Sequence, residues 1–268
     1  MRLIDPQIQV SEALSPISVV ARCKTLIAKY REIYVDHIPV RLGDPAIPIR
    51  GHDVVHRALD YGTGAADGVV HFLNVGQPWF AANIVRTYLE LALRIMWCRT
   101  RTNGWQELIG WWAEETIKAA DRSVADLGKD PLTKSARQLL TDQKNHAPRT
   151  KPSLDKMLRE IAGGQSSNAA RAHIEGTYAE LFKGSLHQAA HANLVFLAFQ
   201  WSDRDQLAIG RALVRACCWL INSSHSYIGW DESQAIRFMN SHFEEDRGQG
   251  KSGSNKEDRG QSTFSSET

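Results

Sequence analysis

The stretch from residue 78 to residue 98 constrains the fold more than any other part of the chain. It is a long apolar run that starts at a proline and contains only three charged side chains, Arg86, Glu90 and Arg94. Their spacing of four residues places them along one side of a helix, with a carboxylate between two guanidinium groups. On a helix otherwise fit for a core, this stripe predicts either a buried polar network or a narrow hydrated seam.

Helical periodicity continues through most of the chain. Ser15 and Pro16 predict the start of a first helix, Asn103 caps a fourth, and Ser202 or Asp203 caps one of the last. No stretch combines the alternation of a strand with the turn residues of a hairpin. The pattern therefore predicts an all-α fold, a single bundle of about eight helices.

Changes in composition predict how the chain is organised. We expect an N-terminal extension over residues 1–14 and a helical domain over 15–243. Residues 129–166 are more polar and predict an insertion or a lid within that domain. Residues 244–268 consist mostly of Gly, Ser, Lys, Glu, Asp and Arg, so they have too little apolar surface to pack and predict a disordered tail.

Charge and cysteine content limit the functional class. The 32 basic and 30 acidic residues leave a net charge of +2, so nucleic acid could be bound only through a local basic patch. The N-terminus lacks a secretory pattern, and the charges at 86, 90 and 94 interrupt the longest apolar run, which predicts no membrane partner. The four cysteines have neither metal-knuckle nor redox spacing, and three of them fall inside apolar helical stretches, which predicts buried free thiols of a cytoplasmic protein.

Histidines supply the second set of candidate site residues. His187 and His191 lie four residues apart, a spacing at which two imidazoles of one helix can chelate one metal ion, and Glu180 precedes them on nearly the same side. The alternative is that these histidines are interior or surface residues bonded to carbonyls or carboxylates. A divalent metal is thus the one cofactor that the pattern suggests, and the alternative requires none.

A second histidine pair, His52 and His56, has the same spacing, with Asp60 one turn further on. The dipeptide His52-Asp53 resembles the signature of the all-helical metal-dependent phosphohydrolases that are named for it. Those enzymes have an apolar residue before the pair and Gly-Lys after it, whereas here Gly51 precedes the pair and Val-Val-His follows. The flanking residues therefore depart from that family.

Two arginine–histidine pairs resemble helical ribonuclease toxins of the higher-eukaryote-and-prokaryote nucleotide-binding class. Those toxins place an arginine a few residues before a histidine, and here Arg31 precedes His37 and Arg50 precedes His56. The resemblance implies metal-free RNA cleavage, with histidine as acid and base and arginine on the phosphate.

The α-helical pattern also resembles an uncharacterised family of all-helical bacterial proteins, over residues 70–240. Its members carry Arg…Glu on an apolar helix and a later Tyr…Leu…Ser…His segment. The matching positions here are Arg86 and Glu90, then Tyr178, Leu181, Ser185 and His187. The resemblance implies that Arg86, Glu90, Tyr178 and His187 converge on one polar pocket between helices, and it suggests a role in stress response or phage defence. The spacing of Ser and His departs from the family pattern.

Three functions are open at this point. The first is a helical interaction or regulatory protein with an internal polar pocket, whose partner is another protein or a second copy of the chain. The second is a toxin-like hydrolase of nucleic acid or nucleotide, with or without a metal, in which Glu90 and His187 are catalytic. Its substrate would be bound by Arg86, Arg94, Tyr178 and Ser185. The third is a small-ligand sensor with a pocket along the same seam.

Overall fold

The structure is a computed structural model that describes residues 14–39, 50–147, 152–163, 168–190 and 201–243. Within these ranges every regular element is a helix and no strand occurs, so the predicted all-α fold is confirmed. The predicted extension, apart from Leu14, and the predicted disordered tail lie outside the described residues. The α-helices are α1 Pro16–His37, α2 Gly51–Asn74, α3 Pro78–Arg99, α4 Gly104–Leu127, α5 Lys134–Lys144, α6 Leu154–Gly163, α7 Asn168–Phe182, α8 Ser185–Ala190, α9 Asp203–Ser224 and α10 Glu232–Ser241, and a short 3-10 helix, His225–Ile228, follows α9.

Capping residues determine where several helices begin. The Ser15 side chain accepts a hydrogen bond from the backbone N–H of Ser18 at 3.2 Å, and Pro16 occupies the first helical position. At the start of α9, Ser202 and Asp205 form a capping box, in which each side chain bonds to the backbone of the other residue. Both starts lie where the sequence predicts them.

The apolar helix α3 lies at the centre of the bundle and packs most extensively against α9 and α2. Leu89, Leu93 and Met96 of α3 and Trp219 of α9 have no exposed surface. Each buried methylene contributes roughly 0.8 kcal/mol, so this interface supplies much of the driving force for folding. Three of the four charged side chains of α3, Arg86, Glu90 and Arg94, therefore emerge from the most extensively packed helix in the described structure.

A glycine allows α2 and α3 to approach closely, as the sequence predicts for this helix. A Cβ atom at Gly62 would lie 2.3 Å from the hydroxyl oxygen of Tyr88, whose side chain is fully buried. Any larger residue would push the tyrosine out of the interface. Gly64, in contrast, faces open space, so its effect is confined to the lower helix propensity of glycine.

The polar region 129–166 contributes two helices with different neighbours. α5 packs against α4, where Gly110 leaves room for the backbone of residue 147. α6 packs against α3 and buries Met157, Leu158 and Ile161 in the main core. The interpretation of this region as an insertion or a lid stays a prediction.

All four cysteines are buried and none forms a disulfide, which confirms the predicted buried thiols. Burial raises the pKa of the Cys98 thiol and of the Cys217 thiol. Among the described helices, none is long and apolar enough to cross a membrane.

Candidate functional site

Three charged residues of α3, Arg86, Glu90 and Arg94, form a continuous chain of ion pairs. Arg86 Nε donates to Glu90 Oε1 at 2.9 Å, and Arg94 Nη2 donates to Glu90 Oε2 at 3.1 Å. The side chains of Arg86, Glu90 and Arg94 are 15, 20 and 22 % exposed. The Glu90 carboxylate is thus neither in bulk water nor sealed in the core. We call these three residues, together with Asn83 and His187, the α3 seam.

Arg86 connects the seam to α7 and α8. Its Nη1 donates to the carbonyl oxygen of Leu181 at 3.1 Å and to that of Leu186 at 3.5 Å, and it lies 3.5 Å from His187 Nδ1. Leu181 is in the last turn of α7, where carbonyls have no partner within their own helix. A guanidinium there satisfies such a carbonyl and complements the negative end of the helix dipole. Arg86 therefore caps α7 from a neighbouring helix.

Asn83, one turn before Arg86, makes a similar contact with α8. Its Nδ2 donates to the carbonyl oxygen of Trp79 in its own helix at 3.2 Å and to that of Ala189 at 3.3 Å. Between α7 and α8 the chain turns at Gly184, whose N–H donates to the carbonyl of residue 179 at 2.7 Å. Two polar side chains of α3 thus hold the broken α7–α8 segment by its backbone carbonyls.

The other end of the seam contacts α4 and leads towards α6. The Arg94 guanidinium carbon lies 5.6 Å from the centre of the Trp111 ring, and Arg94 Nε has no hydrogen-bond partner within the described ranges. Further along α3, Trp97 Nε1 donates to Glu160 Oε2 at 2.6 Å, and just beyond the end of α3 Arg101 Nη1 donates to the same oxygen at 3.2 Å. These bonds join α3 to the polar face of α6.

Tyr178 does not join the α3 seam. It is 37 % exposed, and its ring contacts Phe182 at 4.9 Å and lies 5.6 Å from the Lys183 ammonium. The buried side of α7 carries Thr177 and Leu181, and one residue further along turns the side chain by about 100° around the helix. Of the four residues that the family resemblance implied would converge, Arg86 contacts both Glu90 and His187, whereas Tyr178 lies on a neighbouring, exposed face.

Two other predicted site residues cannot be placed from their side chains. Ser185 begins α8, but its side chain lies outside the described structure, as does all of His191. In the part of the chain that is described, no group of three or more His, Cys, Asp or Glu side chains is arranged to hold a metal ion. The metal site predicted for His187, His191 and Glu180 stays a prediction.

Glu180 interacts with α9 rather than with α3. Burial raises the pKa of its carboxyl, and the positive charges of Arg215 and Arg211 act in the opposite direction. The Arg215 guanidinium lies against Gly176, where a Cβ would be 1.6 Å from Nη1. On α7, burial and, to a smaller extent, the charge of Arg215 together lower the pKa of His173 to about 3. This α7–α9 contact is a second place where charge enters the core.

The remaining arginine and histidine candidates have separate partners. His56 Nδ1 lies 3.4 Å from Asp60 Oδ2, burial lowers the pKa of His56, and Asp60 also pairs with Arg31 of α1. His37 bonds to a backbone carbonyl of its own helix at 2.8 Å. His52 belongs to a different cluster. These contacts support neither a shared metal for the two α2 histidines nor an Arg31–His37 pair.

That different cluster lies where α2, α3, α4 and the 3-10 helix meet, and no sequence pattern indicated it. Tyr227 Oη accepts hydrogen bonds from Arg99 Nη1 at 3.0 Å and from Trp105 Nε1 at 2.8 Å. Arg99 Nη2 donates to Ser226 Oγ at 2.9 Å, and the His52 ring centre lies 4.4 Å from that of Tyr227. We call these five residues the Tyr227 cluster.

Positive charge dominates the Tyr227 cluster. Burial lowers the pKa of His52, the charges of Arg50 and Arg99 lower it further, and only Asp53 acts the other way among its principal charged neighbours. Arg50 pairs with Asp53 at 3.1 Å on the edge of the cluster. Arg99 Nε is out of contact with solvent and has no hydrogen-bond partner among the described residues.

Comparisons with known proteins add no functional information. No protein-family model, curated protein or solved structure matches this chain. Its function must therefore be inferred from the two polar regions on α3, and the resemblance to an uncharacterised bacterial family stays a prediction.

Proposed function

We propose that this chain is a helical interaction or regulatory protein, in which the α3 seam holds the α7–α8 junction as a releasable joint. The hydrogen bonds of the Arg86 side chain are the observation that carries this proposal. Its guanidinium donates to Glu90 and to the carbonyls of Leu181 and Leu186. Nε and Nη1 of this guanidinium are used in these bonds, so they position the backbone of the α7–α8 junction.

The length of α8 supports the idea of a joint. α8 has six residues, far fewer than an isolated helix needs to be stable in water. It depends on α3 through the buried side chains of Leu186 and Ala189 and through the bonds from Asn83 and Arg86. A protein partner, or a second copy of this chain, that competed for Arg86 would release α8 and redirect the chain that follows it.

Hydrogen exchange measured by mass spectrometry tests the joint. Arg86→Lys keeps a positive charge beside Glu90 but cannot bridge to two carbonyls. We expect protection of residues 181–190 to fall about tenfold, the equivalent of one charge-assisted hydrogen bond, with other helices unchanged. Arg159→Lys is the matched control, because the Arg159 side chain is 78 % exposed. Uniform loss of protection across the bundle, or no change at all, would contradict the joint.

The regulatory role needs a test of its own. A photo-crosslinking amino acid at Lys183, which is exposed at the junction, should capture one identifiable protein or a second copy of this chain in cells. Arg86→Lys should change the yield of that product by about threefold or more, since a shift of well under 1 kcal/mol in the joint equilibrium has this effect. The proposal would be overturned if no defined crosslinked product formed, or if the wild type and Arg86→Lys gave the same yield of it.

One observation favours a second candidate, a metal-free hydrolase of nucleic acid or nucleotide. His187 is partly exposed, and its Nδ1 lies 3.5 Å from Arg86 Nη1. An imidazole beside a guanidinium can transfer a proton while positive charge stabilises a phosphate oxygen. In this alternative Glu90 would orient Arg86.

Turnover assays separate the two candidates. Purified protein would be incubated with labelled single-stranded RNA and with nucleoside triphosphates, in EDTA and separately in Mn²⁺. The hydrolase predicts turnover that His187→Ala lowers by about a hundredfold or more at unchanged circular dichroism. Activity only with Mn²⁺, accompanied by bound metal that His187→Ala removes, would favour the metal-dependent version. Absence of turnover in the wild type eliminates both.

A further inference from the structure

Arg99 differs from its neighbours in what it contacts. Arg86, Arg94 and Arg101 each face a carboxylate. Arg99, in the last turn of α3, bonds to two neutral hydroxyl groups, and within the described ranges it pairs with no carboxylate. Its charge is therefore only partly compensated, which costs free energy in a partly buried site unless an anion binds there.

The hydroxyl groups beside Arg99 are suited to hydrogen-bond an anion. Tyr227 Oη already accepts two N–H bonds, so its own O–H proton remains to be donated to another group. Ser226 is exposed and Tyr227 is partly exposed, so the cluster is reached from solvent. The guanidinium carbon of Arg99 lies 4.3 Å from the centre of the Tyr227 ring, which fixes the plane of its donors.

The charge around these groups has the sign that an anion requires. Arg50 and Arg99 both act on His52, and Asp53 is the carboxylate that opposes them most closely. Two guanidinium groups against one carboxylate leave the cluster positive. A phosphate oxygen makes stronger bonds with a guanidinium than a neutral hydroxyl does, because such bonds are charge-assisted.

We propose that the Tyr227 cluster binds a phosphate group, either as free phosphate or as the phosphomonoester of a small molecule. Arg99 contacts the phosphate oxygens, Ser226 and Tyr227 donate their hydroxyl protons, and Arg50 supplies additional positive charge. This inference goes beyond the proposed function and does not depend on it, because the α3 seam contributes no residue to the cluster.

The indole N–H of Trp105 provides a direct readout, because it donates to Tyr227 Oη. The full chain would be labelled with ¹⁵N-tryptophan, and Trp105→Phe would assign the signal. Inorganic phosphate should move this signal with a saturating dependence and a midpoint at or below about 5 mM, the affinity expected of a few charge-assisted bonds. Sodium sulfate and sodium chloride at equal ionic strength separate recognition from a general salt effect.

Substitutions make the test specific. Arg99→Gln should raise the midpoint by about tenfold or more, because it removes the charge-assisted bonds. Arg159→Gln is the matched control, since that arginine is exposed and pairs with Asp155 on α6, and it should leave the midpoint unchanged. Ser226→Ala changes an exposed hydroxyl with little risk to folding, and it should weaken binding by about threefold.

The results of these titrations distinguish free phosphate from a phosphomonoester, and some of them would refute the proposal. A phosphomonoester probe, glycerol 3-phosphate, that binds about tenfold more tightly than inorganic phosphate would identify an ester as the ligand, and equal affinity would identify free phosphate. The proposal is overturned if phosphate up to about 50 mM gives no saturating shift, because a specific small-anion site would saturate below about that concentration. It is also overturned if chloride gives the same shift, or if Ser226→Ala and Arg99→Gln, both folded, bind like the wild type.

Discussion

Arg86 and Arg99 lie on the same helix, α3, in opposite surroundings. The guanidinium of Arg86 bonds to a carboxylate and to two backbone carbonyls, whereas that of Arg99 bonds to two hydroxyl groups. The first arginine has charged or strongly polar partners that offset the cost of removing it from water, whereas the partners of the second among the described residues are neutral hydroxyl groups. Burial alone therefore does not distinguish an arginine that fastens helices from one that can receive an anion. The partners do.

Removing each guanidinium should produce the largest difference between the two regions. Arg86→Met should lower the free energy of unfolding by about 3 kcal/mol, because it leaves Glu90 with one partner and frees two carbonyls in a mostly buried site. Arg99→Met should lower it by about 1 kcal/mol or less, because only bonds to neutral hydroxyls are lost. Urea denaturation at neutral pH measures both. Equal losses would show that the two arginines have the same role.

Acid should affect the Tyr227 cluster through His52. Its pKa is lowered in the folded state, so the unfolded chain binds more protons below about pH 6.5, and stability falls as the pH decreases through that range. The contribution is at most about 1.4 kcal/mol per pH unit.

Urea denaturation at several pH values checks this contribution. His52→Gln should remove the contribution of His52 to the pH dependence of stability. Bound phosphate should make that contribution smaller in the wild type, because it favours the charged imidazole. The same pH dependence in wild type and His52→Gln would contradict the electrostatic description of the cluster.

Neutralising the carboxylate of the α3 seam should have an intermediate effect. Glu90→Gln keeps the shape of the side chain but loses the charge on both bonds, so we expect a loss of about 1.5 kcal/mol, again by urea denaturation. Glu114→Gln, at a solvent-facing carboxylate that pairs with Lys118, should give no measurable change. A loss in the control as large as that at Glu90 would mean that general charge, not the seam, determines stability.

The smallest effect should be local. Asn83→Ala removes the bond to the Ala189 carbonyl and should cost about 1 kcal/mol, visible as faster hydrogen exchange in α8 with little change elsewhere. Thr87→Ala is the matched control, because its hydroxyl bonds only within α3 among the contacts described. Faster exchange in α8 in the control as well would refute a specific role for Asn83.

Much of the fold could be predicted because helix signals are local. Ser15-Pro16 and Ser202 mark starts that the structure retains, and Gly184-Ser185, which in sequence predicts a kink or a split, separates α7 from α8. Residues 133–145 and 153–162, which Pro148 and Pro152 separate in the sequence, also predict two short helices, and these are observed as Lys134–Lys144 and Leu154–Gly163. A cap or a helix-breaking residue acts within one turn, so reading it requires no knowledge of the tertiary structure.

The site could be predicted only as far as one helix determines it. The pairing of Arg86, Glu90 and Arg94 follows from their spacing, and it is observed. The bonds from Arg86 to α7 and α8 end on backbone carbonyls, which every residue carries, so no letter of the sequence identifies them. Arg99 and Tyr227 are 128 positions apart, and their contact depends on how four elements meet.

The buried thiols provide a built-in measure of how often each part of the molecule opens. All four are 1 % exposed, so a thiol reagent in neutral buffer reaches them only when the surrounding helices separate. Cys98 is adjacent to Arg99 in sequence, while Cys23 and Cys217 lie on α1 and α9. Rates of labelling at each sulfur, resolved by mass spectrometry, would therefore report breathing at the end of α3 and at the α1–α9 contact separately, in the unaltered protein.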